Sequence, residues 1–192
     1  MNNYSKEIVR KKIKDIRSNQ TLFDNRKMSS KIKEKLFSLL DFKSAETVLF
    51  YISYEGEVYT HDMIRESFYN KNVIVPVSNQ KDLTLVLSRL KTWEELSIGS
   101  YRILEPKKEK IRNTNIEDID LLIIPGVAFN EKGDRLGHGK GYYDKILNKT
   151  KSLKIGLAFE FQILEKIPTE SHDVPVDMII TESRIIDCVK NR

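Results

Sequence analysis

The chain has 192 residues, a formal net charge of +5, 40% hydrophobic and 32% charged residues. This length predicts one domain over residues 1–192 with a substantial core, and the single cysteine, Cys188, excludes an internal disulfide and a thiolate metal cluster. No apolar run approaches the roughly 20 residues that span a bilayer, and the N-terminus lacks the apolar stretch of a secretory signal, so we expect a cytoplasmic protein that binds no membrane.

The first 40 residues have the pattern of two helices. Residues 4–18 carry Val9, Ile13 and Ile16, whose spacings of four and three place one apolar stripe on a helix. A second helix is predicted over about residues 21–40, with apolar residues on one face at Met28, Ile32, Leu36 and Leu39.

Beyond residue 45 the pattern alternates between strands and helices. Strands are predicted at residues 46–53, 73–77, 83–88, 120–126, 153–159 and 176–181, with a helix at 57–70. Runs such as LLII suit strands that are covered on both faces, so we predict an α/β fold, a single-domain three-layer sandwich with a mostly parallel sheet. Cys188 lies in the alternating segment IIDCVK, which indicates a buried structural thiol.

Glycine is concentrated in one segment of the chain. Five of the eight glycines lie between residues 126 and 141, after a predicted strand and before the helix start YYDKIL. Such a loop brings backbone N–H groups and a helix N-terminus close to an anion, which favours phosphate as the ligand. Arg135 offers two donors, Lys140 a point charge, and Asp144 a carboxylate that suits magnesium.

The loop GHGKG matches neither common nucleotide motif. Asp134 occupies the first glycine position of the Walker A pattern, Gly141 follows the lysine, and the GxGxxG spacing is absent. A glycine-rich hairpin or a flexible lid has a similar sequence, and Tyr142 and Tyr143 are also explained as core aromatics. These alternatives stay open on the residues alone.

Residues 125–147, PGVAFNEKGDRLGHGKGYYDKIL, closely resemble the signature of the 5-formyltetrahydrofolate cyclo-ligases, also called methenyltetrahydrofolate synthetases. The family pattern reads roughly P-G-x-x-F-D-x-x-G-x-R-L-G-x-G-x-G-Y-Y-D. Asn130 stands where the family usually has Asp, and His138 lies at a variable position. Other segments are in register over nearly the whole chain, although Tyr101 replaces a frequent tryptophan or phenylalanine.

The resemblance implies a fold similar to the sugar-phosphate isomerase and CoA transferase sandwich. It also implies ATP-dependent cyclisation of 5-formyltetrahydrofolate to 5,10-methenyltetrahydrofolate, with ADP and phosphate as the other products. The implied co-substrate is ATP and the implied ion is Mg²⁺. The expected partners are the small molecules 5-formyltetrahydrofolate and ATP, without nucleic acid. We expect a monomer.

The resemblance also assigns roles to individual residues. The implied ATP contacts are Lys6, Arg10, Arg135, Leu136, Gly137, His138, Gly139, Lys140, Gly141, Tyr142 and Tyr143. The implied folate contacts are Ile52, Glu57, His138, Gly139, Lys140, Gly141 and Tyr142. The implied catalytic residues are Arg135, Lys140 and Tyr142, and the implied metal ligands are Asp144 and Asp177.

Several of these residues also suit purely structural roles. The sequence also allows two alternative interpretations of the function. Lys6 and Arg10 share one helix face, which by itself indicates a solvated basic surface, while Glu57 suits a helix N-terminus and Asp177 a strand start exposed to water. Another enzyme of the same fold, a sugar-phosphate isomerase or CoA transferase, would need no ATP. A basic nucleic-acid-binding module is the second alternative, although the basic runs lack interleaved aromatics.

Overall fold

The computed structural model describes residues 5–79, 81–99, 102–170 and 173–192, so Tyr101 lies outside the described residues. The helices are α1 (Lys6–Ser18), α2 (Leu22–Ser38), α3 (Leu40–Ser44), α4 (His61–Ser67) and α5 (Asp144–Leu147). The first six strands are β1 (Thr47–Leu49), β2 (Asn72–Asn79), β3 (Thr84–Leu90), β4 (Leu96–Ile98), β5 (Leu104–Pro106) and β6 (Leu121–Ile124). The others are β7 (Ala128–Phe129), β8 (Arg135–Leu136), β9 (Leu153–Leu157), β10 (Met178–Ile180) and β11 (Ile185–Asp187).

Side-chain caps set where the first two helices begin. The Ser5 hydroxyl accepts from the Ile8 N–H at 3.3 Å, and the Thr21 hydroxyl accepts from the Asp24 N–H at 3.1 Å. Each cap satisfies an amide that has no partner within its helix, so α1 and α2 start directly after these residues.

Helix α4 is shorter than the helix predicted at residues 57–70. Glu55 and Gly56 both have positive φ, 38° and 73°, and the Glu57 N–H donates to the Tyr54 carbonyl at 3.1 Å. This turn interrupts helical geometry, so α4 begins only at His61 and leaves Glu57 in the preceding loop.

The main sheet has seven strands in the order β11-β10-β9-β6-β1-β2-β3. The five inner strands pair in parallel, and the edge strands β3 and β11 pair antiparallel to their neighbours. The predicted mostly parallel sheet is therefore confirmed. No helix in the described ranges is long and apolar enough to cross a bilayer.

Alternate residues of the inner strands enter two different cores. In β6, Leu121 and Ile123 pack with α2, α3 and α4, whereas Leu122 and Ile124 pack on the opposite face, where α5 contributes Leu147. Because successive strand residues point to opposite faces, this pattern shows that both faces are covered, as the predicted three-layer sandwich requires. Cys188 is fully buried, and burial raises the pKa of its thiol to about 12.

The sequence patterns did not predict two small hairpins, β4–β5 and β7–β8, whereas β11 forms within the alternating segment IIDCVK. The hairpin β7–β8 lies between β6 and the glycine loop, so the predicted unit of strand, loop and helix contains an extra element. Asn130 closes its turn by donating to the Asp134 carboxylate at 2.7 Å and accepting from the Asp134 N–H at 3.0 Å. An ionised Asp at position 130 would place two carboxylates together, so the amide suits this turn.

The β4–β5 hairpin is fastened by a bidentate ion pair. Arg112 donates from Nη1 and Nη2 to the two oxygens of Glu95, both at 2.8 Å, and the Lys91 N–H donates to the same carboxylate at 3.0 Å. The hydrogen bonds from the Arg112 guanidinium lower the pKa of Glu95 to about 2. The ionised carboxylate is therefore the form that the folded chain stabilises.

We predict that Glu95→Gln lowers the free energy of unfolding at pH 7 by roughly 1–2 kcal/mol. Because the folded-state pKa is depressed, this stabilisation is present above the unfolded pKa of about 4.3 and is lost as the pH falls towards 2. Urea unfolding of both proteins between pH 7 and pH 3 should show the difference shrinking with acidity. The exposed neighbour, changed as Glu94→Gln, is the control, and a difference that is independent of pH would contradict the assignment.

Candidate active site

A cleft of about 480 Å³ opens beyond the carboxyl ends of β1, β2 and β6. This edge is where ligands bind in parallel α/β sheets. The cleft walls come from α1, the loop after β1, the β4–β5 hairpin and the glycine loop at residues 137–143. Segments that are distant in the chain therefore meet at one edge of the sheet.

Nearly all of the sequence-predicted site residues line this cleft. Those present are Lys6, Arg10, Ile52, Glu57, Arg135, Leu136, Gly137, His138, Gly139, Lys140, Gly141, Tyr142, Tyr143 and Asp144. Their roles towards ligands stay predictions, but their convergence on one cleft is a feature of the fold.

Helix α1 reaches the cleft through two cations four residues apart. Lys6 Nζ lies 2.9 Å from Glu170 and 3.2 Å from Asp173, and Arg10 Nε donates to the Gly137 carbonyl at 2.9 Å. Burial opposes the charged form of Lys6, but hydrogen bonds to the two carboxylates outweigh it and raise the pKa of Lys6. Both side chains thus take part in the cleft rather than in a purely solvated basic face.

The glycine loop packs against two guanidinium groups. A Cβ atom on Gly139 would lie 3.3 Å from Arg10 Nη2, and one on Gly137 would lie 2.9 Å from Arg135 Nη1. Gly139 and Gly141 also have positive φ, 96° and 65°. Backbone conformation and close approach together explain why glycine occupies these positions.

Two expectations about the loop need correction. Gly126 and Gly133 are packing and turn residues outside it, since a Cβ on Gly126 would meet Phe129 and one on Gly133 would meet the Val176 carbonyl. Helix α5 has only four residues, Asp144–Leu147, so few peptide dipoles are aligned at its N-terminus. The positive field in the cleft therefore comes from side chains rather than from a helix.

The two predicted metal ligands are not brought together. Asp177 precedes β10 at the amino ends of the parallel strands, where it accepts from the Lys154 N–H at 3.0 Å and lies 3.7 Å from Arg192. Asp144 is at the opposite edge and accepts from Arg135 at 2.5 Å. Within the ranges that the structure describes, no three His, Cys, Asp or Glu side chains are grouped to hold a metal.

The structure adds a half-buried cation, Arg17, that the sequence patterns did not single out. Its Nη2 donates to the Gly126 carbonyl at 2.8 Å; burial lowers the pKa of Arg17, and the nearby charge of Glu57 opposes that shift. Burial likewise raises the pKa of Tyr51, which donates its hydroxyl to the Val58 carbonyl at 3.0 Å. Arg17 follows Arg10 by two helical turns, which is the signal that would have placed it on the same face.

Glu57 lies where the charged and apolar parts of the cleft meet. One carboxylate oxygen accepts from the Tyr54 N–H at 3.1 Å, and the other lies 3.3 Å from His138 Nε2 in the glycine loop. Burial also raises the pKa of the neighbouring Tyr143. The carboxylate is thus presented by backbone geometry towards the cleft.

The remaining wall of the cleft is apolar, and of its side chains only Ile52 was predicted. It contains the hydrophobic side chains Ile52, Pro76, Leu85, Ile103 and Leu104. The buried Glu105 accepts from the Ser78 N–H at 3.0 Å and so holds the β4–β5 hairpin against β2. This wall depends on a hairpin whose short strands gave no clear pattern in the sequence.

The fold and cleft together define an α/β enzyme whose site combines a cationic glycine loop with an apolar pocket. The sequence model of the 5-formyltetrahydrofolate cyclo-ligase family matches residues 2–182. The chain belongs to this family and is therefore a ligase. The resemblance inferred from residues 125–147 is confirmed.

Several relatives are similar over most of their length. The 5-formyltetrahydrofolate cyclo-ligase of Haemophilus influenzae is 31% identical over 182 residues, which cover 92% of this chain and 97% of the relative. The solved 5,10-methenyltetrahydrofolate synthetase of Aquifex aeolicus is 36% identical with a TM-score of 0.86, covering 95% of this chain and 92% of that one. The synthetase of Mycoplasma pneumoniae, 24% identical with a TM-score of 0.75 over 93% of this chain and 99% of its own, shares the fold.

We predict that Gly133→Ala lowers the free energy of unfolding by about 3 kcal/mol, whereas Gly141→Ala lowers it by about 1 kcal/mol. Both glycines have positive φ, but only the first would place its new Cβ against a backbone carbonyl, while the second has open space around it. Chemical denaturation of the two variants measures the difference. Equal losses would show that the Gly133 turn relaxes easily.

Proposed function

We propose that this protein catalyses the ATP-dependent cyclisation of 5-formyltetrahydrofolate to 5,10-methenyltetrahydrofolate, with release of ADP and phosphate. The observation that carries the proposal is the junction of the two halves of the cleft, where His138 of the glycine loop lies 3.3 Å from Glu57 of the apolar pocket. A ligand in each half would meet there. Family membership and the names of the relatives support the same reaction.

The cationic half of the cleft suits the triphosphate of ATP. Lys6 and Arg10 approach from α1, and Lys140 approaches from the loop, so three positive side chains line one region. Phosphoryl transfer depends mainly on positioning and on stabilising charge at the moving group, and these cations together with the loop amides supply both.

The apolar half suits the pterin ring of the folate. Flat aromatic rings gain most from burial against side chains such as Ile52 and Leu104, which line this wall. A pterin also carries adjacent N–H donors, and a carboxylate such as Glu57 accepts two such bonds in parallel. The substrate would thereby direct its formyl group towards the glycine loop.

The proposed chemistry proceeds in two bond exchanges. The formyl oxygen attacks the γ-phosphorus, and the bond from that phosphorus to the ADP oxygen breaks. The N10 lone pair then attacks the activated formyl carbon, N10 loses its proton, and the carbon–oxygen bond breaks to release phosphate. The protein needs no covalent nucleophile for this sequence, and Lys140 and the loop amides stabilise the charge that develops.

Magnesium enters the proposal as the ion that accompanies ATP. The pair of carboxylates that the resemblance assigned to it does not fit, because Asp177 lies at the other edge of the sheet and Asp144 is engaged by Arg135. No step of the reaction is therefore assigned to a protein-bound ion.

The first test mixes purified protein with 5-formyltetrahydrofolate, ATP and magnesium, and follows the absorbance of the methenyl product. We expect product to accumulate only when ATP is present, with one ADP formed per product. Formation of product without ATP, or ATP hydrolysis without product, would contradict the proposed coupling. The absence of any product from folded protein would reject the substrate assignment.

We predict that Lys140→Ala raises the KM for ATP by about ten-fold or more and changes the KM for the folate much less, since one charged contact to phosphate is worth about 1.4 kcal/mol. The measurement is initial rate against each substrate in turn. Lys149→Ala is the matched control, because this lysine is exposed and lies outside the cleft. Equal effects of the two substitutions would remove Lys140 from the phosphate site.

A further inference from the structure

One ion pair joins the two ends of the glycine loop. Arg135 belongs to β8 directly before the loop, and Asp144 is the first residue of α5 directly after it. Arg135 Nη2 lies 2.5 Å from Asp144 Oδ1 across a separation of nine residues. The contact holds the two ends of the loop at residues 137–143 together through a pair of opposite charges.

The pair is largely shielded from water, so the Coulombic attraction between its two charges is stronger than in a surface ion pair. The side chain of Arg135 is 5% exposed and that of Asp144 is 20% exposed. The loop backbone covers the guanidinium, because a Cβ on Gly137 would lie 2.9 Å from Arg135 Nη1. Partly buried charges are screened little by salt, so the attraction persists at physiological ionic strength.

A loop of this composition needs such a constraint. Gly137, Gly139 and Gly141 give the backbone many accessible conformations, and the last two adopt positive φ in the folded chain. Ordering these residues when a ligand binds would reduce its affinity, whereas ordering them beforehand avoids that loss. The ion pair between Arg135 and Asp144, at the base of the loop, can order the loop backbone before a ligand binds.

We infer that Arg135 and Asp144 form a clasp that fixes residues 137–143 before ATP binds, and that Asp144 is a positioning residue acting through Arg135 rather than a magnesium ligand. This inference rests on the proposed function. It changes the roles that the family resemblance gave to both residues. The Arg135 side chain is almost fully buried and directed at Asp144, so the proposed phosphate contacts are made by the more exposed Lys6, Arg10 and Lys140.

The location of other carboxylates agrees with the clasp. A divalent ion on Asp144 would lie close to the Arg135 guanidinium and would be repelled by it. Asp177, the second implied ligand, is at the opposite edge of the sheet.

The first arm of the test measures amide hydrogen exchange in the unliganded protein with EDTA present. In Asp144→Asn and in Arg135→Gln, we expect residues 137–143 to exchange about ten-fold faster or more, while the sheet exchanges as in the wild type. Combining both substitutions should add little to either one, because each already opens the clasp. Asp177→Asn is the matched control and should leave loop exchange unchanged. Unaltered loop exchange in Asp144→Asn would overturn the inference.

The second arm measures binding of a non-hydrolysable ATP analogue by calorimetry, once in EDTA and once with magnesium. The clasp predicts that Asp144→Asn weakens binding by about ten-fold under both conditions, so that the ratio of the two affinities stays that of the wild type. Wild-type affinity in EDTA with loss of the magnesium effect would instead identify Asp144 as a metal ligand and overturn the inference. If the wild type itself binds no analogue, the proposed function fails, and the exchange arm still decides whether the clasp exists.

Discussion

The burial of the inner strands on both faces is the constraint from which the site follows. Strands β1, β2, β6, β9 and β10 are parallel, so each must return through a crossover that covers one face. Parallel strands also end at the same edge, and the segments that follow β1, β2 and β6 therefore meet there. The cleft is a consequence of this arrangement, because the loops at that edge diverge around a common space.

Helix α1 completes the cleft by crossing that edge with three cations on one face. Lys6 pairs with carboxylates, while Arg10 and Arg17 donate to the carbonyls of Gly137 and Gly126. The same helix therefore stabilises the end of β6 and brings positive charge to the region where phosphate is proposed to bind.

The charges in the cleft are arranged as neighbouring pairs of opposite sign. Arg135 faces Asp144, and Lys6 faces Glu170 and Asp173. Such pairing reduces the cost of holding cations in a partly dehydrated site before a ligand arrives. Burial, rather than pairing or residue type, separates two kinds of cation: Arg135 is 5% exposed and orders the protein, whereas Lys6 is 24% exposed and is proposed to face a ligand.

The order of residues along the chain was enough to predict the α/β class, the two N-terminal helices, most of the inner strands and the family, because hydrophobic periodicity and a long local motif are both carried by neighbouring residues. Only the packed chain shows that Asp144 pairs with Arg135, that Asp177 lies at the far edge, and that the β4–β5 hairpin forms the apolar wall. A motif specifies only which residues are present. A residue that precedes a strand and one that follows a strand lie at opposite ends of the strands in a parallel sheet. That separation is established only when the strands pack side by side.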